Sequence, residues 1–169
     1  MTEAAERAAA LLVRGARTSE DEGVAERVLH LADSEGLAVL AELWAGAPAD
    51  SLAGCVWRLY LLRAWVQTDP ESAAQEYAAG TSRAQVAQVV AGVADPPGPA
   101  ELRVMVDEVL RGIAEREFAD VLFRAAAFAR VVATGRAVRE APHEDTVRML
   151  GLAEQLEAAG HLELGPGLA

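Results

Sequence analysis

The 169-residue sequence contains no lysine and no asparagine, one cysteine, one isoleucine (Ile113) and three histidines. A lone cysteine, Cys55, excludes an intrachain disulfide. All fifteen basic residues are arginine, and with Ala, Gly and Val abundant this is the usage of GC-rich codons, so a high-GC bacterium is the expected source. Arginine then stands where another genome places lysine, and by itself says little about planar, bidentate recognition. Basic clusters are missing too. Twenty-six acids leave a formal charge of −11, distributed as −6, −1, −1 and −3 over residues 1–50, 51–100, 101–135 and 136–169. A chain with no basic segment repels phosphate backbones and anionic lipid, so neither nucleic acid nor a membrane is an expected partner.

Long apolar runs are absent as well. Arg or Glu interrupts each one short of the roughly 18 residues that a membrane span needs. Glu3 and Glu6 precede the first apolar run, unlike the basic start of a signal peptide, and a cytoplasmic location is expected. No Gly-x-Gly-x-x-Gly, phosphate loop, Gly-x-Ser-x-Gly, Cys-x-x-Cys or His-Glu-x-x-His occurs. Acid–base or nucleophilic catalysis would have to rest on carboxylates or arginine, and no cofactor is expected.

What the chain does have is helix punctuation. At 52% hydrophobic residues its length suits one domain over 1–169 with one core. An Ala-rich helix is predicted from Thr2 to about Gly15. Ser19 and Glu22 form a capping box that opens a helix from about 19 to 34, with Gly36 as its C-cap. Leu37, Leu40 and Trp44 make a short apolar stripe ending at Gly46. Asp50 or Ser51 caps the next helix, and Asp69-Pro70 is an N-cap followed by proline at the first helical position. Gly80 is expected to close that next helix, and Ser82 with Gln85 to open another carrying Val86, Val89, Val90 and Val93. The Pro-rich run 94–99 reads as a stiff connection, with Pro99 starting a further helix. Leu102, Val106, Val109 and Ile113 share a face, and Gly112 marks a bend or boundary. A helix from about 115 to 134 ends at Gly135. The last runs from Pro142 to about Ala159, with Val147, Leu150, Ala153 and Leu156 inward, and Gly160 stops it. "HLEL" (161–164) alternates like a short strand. The fold class is therefore all-α: an irregular bundle of seven or eight helices around a central apolar helix at 51–68.

That central helix, "GCVWRLYLLRAWVQTDP" from Gly54 to Pro70, holds two of the three tryptophans and is apolar almost all round. Trp57, Tyr60 and Trp65 point in different directions and are expected to pack against several neighbours. Arg58 takes the outward sector, whereas Arg63 falls among Val56, Leu59 and Val66. A buried guanidinium needs a carboxylate partner, so an internal Arg–acid pair is the leading expectation, with a bound anion or ligand as the alternative. Arg63, Arg58 and Tyr60 are the candidate ligand-binding residues. Glu26, His30 and Asp33 lie at i, i+4 and i+7, a spacing that can hold a divalent metal or simply form a solvated acidic face. Phe123 sits off the main apolar face of its helix near Arg116 and Arg130, and these three are the candidate contacts for another helix or a second subunit.

The C-terminal run "HEDTVRMLGLAEQLEAAGHLEL" (143–164) resembles the recognition helix and first wing strand of winged-helix DNA-binding domains. The resemblance implies a transcription-associated role in which Arg148 is the one basic residue of the reading helix. "AQEYAAGTSRAQVAQVV" (74–90) likewise resembles a helix-turn-helix, with Gly80 in the turn. The acidic setting of both segments opposes phosphate contact. The leading functional expectation is a non-enzymatic interaction module that forms a homodimer or binds a protein partner. The alternatives are the winged-helix reading and a small-molecule or enzyme site around Arg63.

Overall fold

The structure, a computed structural model, describes residues 3–88 and 97–169, with side chains throughout except at 83–88. Every regular element among the described residues is helical: α1 Glu3–Ala10, a π-helical turn Leu11–Gly15, α2 Ala16–Thr18, α3 Val24–Leu29, α4 Leu31–Glu35, α5 Leu37–Trp44, α6 Leu52–Thr68, α7 Pro70–Gln88, α8 Pro99–Glu115, α9 Phe118–Val138 and α10 His143–Leu164. The expected all-α architecture is what the chain forms. Of the expected valine stripe, Val89, Val90 and Val93 lie outside the described residues and Val86 is described by its helical backbone alone; of the Pro-rich connection at 94–99, residues 94–96 lie outside them.

The helix starts follow their side chains. Ser51 Oγ accepts the Gly54 N–H and caps α6, and Asp69 accepts the Ser72 N–H at the start of α7. Pro99 opens α8. Gly36, at φ +89°, joins α4 to α5 with a backbone that residues bearing a Cβ rarely adopt. The predicted helix over 19–34 begins later and breaks in the middle. Ser19 and Asp21 accept N–H groups two residues on and make a turn, and α3 and α4 meet at His30 (φ −92°, ψ 9°).

α6 is the centre, as its all-round apolar surface predicts. It packs against α1, α5, α7, α8, α9 and α10. Leu52, Val56, Leu59, Tyr60, Leu62 and Val66 are all essentially inaccessible, each contributing roughly 1.5–3 kcal/mol of burial. Two polar side-chain atoms stitch this core to the N-terminal helices: Tyr60 Oη donates to the Val28 carbonyl, and Trp44 Nε1 donates to the Ala5 carbonyl at 3.0 Å. Their rings stack with centroids 6.5 Å apart.

Several glycines read as helix ends lie inside helices instead. α7 runs through Gly80 and α9 through Gly135, because the two helices cross there at backbone distance. A Cβ on Gly135 would sit 1.6 Å from the Glu76 carbonyl oxygen, and one on Gly80 would sit 1.9 Å from that of Val131. Ser82 does not open a new helix; its hydroxyl donates back to the Ala79 carbonyl at 2.9 Å within α7. The helix-turn-helix resemblance fails at this point, since Gly80 occupies no turn. α8 likewise continues through Gly112.

The same correction applies at the C-terminus. α10 continues through Gly160 to Leu164, so the expected strand at 161–164 is helix, and with it the wing of the winged-helix resemblance is lost. Gly160 is a contact: the Phe123 ring lies where its Cβ would be, at 2.7 Å, and meets the His161 ring edge-on at 5.0 Å. After α10 the tail turns back. Leu168 is buried, and the Ala169 backbone oxygen accepts the Leu52 N–H at 2.9 Å.

Candidate functional site

Arg63, the leading candidate ligand-binding residue, is surrounded by acids of the same chain. It is the one charged residue in the core among the described residues. Its Nε donates to Asp107 Oδ1 at 2.9 Å, and its two terminal nitrogens donate to the two oxygens of Asp33 at 3.3 Å each. α6 supplies the cation, α8 and α4 the anions. Burial alone would lower the guanidinium pKa, but the bonds to Asp33 and Asp107 outweigh it and raise it.

The network extends outward from there. Gln67 donates to Asp107 at 3.0 Å and accepts from Arg103 at 2.6 Å. His30 Nδ1 donates to Asp33 at 2.9 Å, and Arg111 Nε donates to Glu26 at 2.6 Å. The proposed metal set Glu26, His30 and Asp33 is therefore brought together, but its carboxylates accept from Arg111 and Arg63, and His30 donates to Asp33. Its carboxylates are held below their usual pKa, Glu26 by the bond from Arg111, and Asp33 by His30 and then Arg63. No group of three or more His, Cys, Asp or Glu among the described residues is arranged to hold a metal ion.

The remaining predicted positions separate. Tyr60 is fully buried and its hydroxyl is occupied, so it lines no site. Burial pushes its phenol well above the ordinary range. Cys55 is equally enclosed, its thiol pushed up to about 12 by burial, with Sγ 3.5 Å from the Ala49 carbonyl. Phe123 is half-buried against α10, Arg130 pairs with Glu157 of α10, and Arg116 with Asp120. The α9 face expected to await a partner is thus partly covered by the chain's own last helix.

Arg58 alone leads to an open site. α6 and α10 run antiparallel with a groove of about 730 Å³ between them. Arg58 Nε donates to Gln155 at one end, while at the other Trp65 lies under Arg136, whose guanidinium carbon is 5.0 Å from the ring centroid. Arg136 is fixed there by Glu76 at 2.9 Å and the Asp145 carbonyl at 2.8 Å. Between these ends the lining is apolar: Trp57, Leu61 and Leu62 from α6, with Val147, Met149 and Leu152 from α10.

Two of these side chains remain notably open, Leu61 at 40% and Val147 at 50% exposure. Both tryptophans are half-buried, so their apolar faces are still partly wet. Val147 corrects its predicted inward position. The cations differ in how far they are neutralised. Arg136 is paired with Glu76. Arg58 is held by two neutral acceptors, Gln155 and the Gly54 carbonyl, and Arg148 lies 3.9 Å from Asp145 with 77% of its side chain exposed.

A second groove, about 320 Å³, lies between α7, α8 and α9, but its arginines 116 and 124 are both bonded to Asp120. Sequence reasoning missed the α6–α10 groove. The available signal was α10 itself, where Val147, Leu150 and Leu152 give more apolar directions than one packing face can use. No helix among the described residues is long and apolar enough to cross a membrane. Comparison with protein-family models, curated proteins and solved structures returns no match to this chain.

Proposed function

We propose that the protein is a non-enzymatic interaction module that receives a helix of a partner protein in the groove between α6 and α10. The observation that carries this reading is the wet apolar floor. Trp57, Trp65, Leu61 and Val147 converge on one concave strip, where a monomer that used them only for folding would cover them. The shape supports a helix over a small molecule. A small-ligand pocket encloses most of its occupant, whereas this groove is open along Leu61 and Val147. A docked helix buries one stripe and leaves its other face in water. The lining also pairs no nucleophile with a base, its one acid being Asp145.

The test uses intrinsic fluorescence, because two of the three tryptophans line the groove. Titration with a neutral amphipathic helical peptide, leucine on one stripe and glutamine and alanine elsewhere, is expected to give a saturable blue shift. Leu61→Asp and Val147→Asp should each weaken binding about ten-fold while leaving the circular dichroism spectrum unchanged. No spectral change up to millimolar peptide overturns the reading. Self-association is the competing form of it, and light scattering at micromolar concentration separates the two. A monomer leaves the groove for another protein, whereas a dimer split by Leu61→Asp places a second copy there.

A further inference from the structure

Resting on that reading, we infer that the groove selects an acidic amphipathic helix carrying two carboxylates seven residues apart, with its apolar residues between them. The chain as a whole has charge −11, yet the two least neutralised cations at this site stand at its two edges. No carboxylate lies within 4 Å of Arg58 among the described residues, and Arg148 is highly exposed with Asp145 only at 3.9 Å. An acidic helix finds its counter-charges here. A basic one meets Arg58, Arg136 and Arg148 inside the groove.

The spacing follows from helix geometry. Arg58 is bonded to Gln155, so it marks the Gln155 level of α10, and Arg148 is seven residues earlier on that helix. At 1.5 Å per residue the two cations are offset by about 10 Å along the groove. A bound helix running alongside α10 covers that distance in about seven residues. Its carboxylates at i and i+7 then face Arg58 and Arg148, while residues i+3 and i+4 fall over Leu61 and Leu62, the middle of the apolar floor. The recognised pattern is Glu-x-x-Leu-Leu-x-x-Glu, with aspartate admissible at either acid.

The experiment compares labelled helical peptides of about 15 residues by fluorescence anisotropy on the full chain at low salt. They share one leucine stripe and differ in the flanking residues: Glu at i and i+7, Gln at both, Lys at both, or the two Glu moved to the far face. The Glu i/i+7 peptide is expected to bind about ten-fold tighter than its Gln counterpart, with the Lys peptide weaker still and the far-face isomer no better than Gln. The Arg58→Gln/Arg148→Gln double variant should lose this preference and retain the Gln peptide's affinity. Equal binding of Glu and Gln peptides by the native protein overturns the inference, as does a preference that survives in the double variant, while the groove reading stands. Binding of none of the peptides overturns the groove reading itself. If decanoate quenches the groove tryptophans and the Glu peptide does not compete with it, the occupant is a small anionic amphiphile and the inference is wrong.

Discussion

Arg63 and Asp107, forty-four residues apart in sequence, meet through Nε and Oδ1 at 2.9 Å, and Asp33 closes the other side of the same guanidinium with both its oxygens. One side chain of α6 thus ties together α4 and α8, which approach from different directions. The cation is nearly inaccessible, whereas Asp107 is mostly and Asp33 only partly covered. Arg63→Met leaves Asp107 with one donor, Gln67, in a partly buried site. It is expected to cost about 2–3 kcal/mol in urea unfolding, below the value for a fully buried pair because Asp33 can return to water. Arg63→Met/Asp107→Leu should recover more than half of that loss, since both polar partners are then gone. A single variant as stable as the native protein would show that the pair carries no net stability.

The crossing of α7 and α9 predicts an asymmetry among glycines. Gly135→Ala places a Cβ 1.6 Å from the Glu76 carbonyl oxygen, and the helices must part. A loss of about 3 kcal/mol or more is expected. Gly15→Ala meets nothing within 4 Å on a helical backbone and should raise stability by about 0.5–1 kcal/mol. Thermal melts of the two variants, read beside the native chain, check both signs.

Acid is expected to loosen the α4–α6–α8 junction first. The folded pKa of Asp33 lies below its ordinary 3.8, through His30 and then Arg63. Its contribution is therefore fully present above the unfolded value and is lost as pH falls through the lower folded one. Urea midpoints should hold steady down to about pH 4 and then drop, more gently in Asp33→Asn, which has already lost the titrating group. A drop of equal steepness in that variant would remove Asp33 from the explanation.

Cys55 should behave as a buried hydrophobe. With its thiol pushed up to about 12 and no exposed surface, little thiolate forms at neutral pH. Native protein is expected to resist a thiol reagent at pH 8 for hours and to react within minutes in denaturant. Rapid native labelling would mean that the N-terminus of α6 opens readily.

The groove's local potential can be read with ionic quenchers. Iodide should quench the exposed tryptophan fraction more strongly than caesium, in spite of the overall charge of −11, because Trp57 and Trp65 lie beside arginines while Trp44 is buried. The Arg58→Gln/Arg148→Gln variant should narrow the difference, with Arg136 still over Trp65. Stronger quenching by caesium in the native protein would show that distant acids dominate the groove.

By itself the sequence determined the helical class, the capped starts of α6 and α7, the proline start of α8 and the central place of α6. Each depends on residues within a turn or two of one another, or on an apolar surface too wide to face water. The need of Arg63 for an internal acid was also legible, because burying an isolated guanidinium is costly whatever the fold. Which acids answer it was a tertiary decision, since Asp33 and Asp107 meet it only once α4 and α8 are packed. The same holds for Gly80, Gly135 and Gly160. Locally a glycine reads as a helix end, whereas here each is required by a neighbour, the carbonyls of Val131 and Glu76 or the ring of Phe123, pressing where a Cβ would be. The groove too came only from assembly. Nothing in the spacing of Trp57, Leu61 and Trp65 distinguishes a covered face from an open one. That difference arises because α10 packs on α9 and stands off from α6.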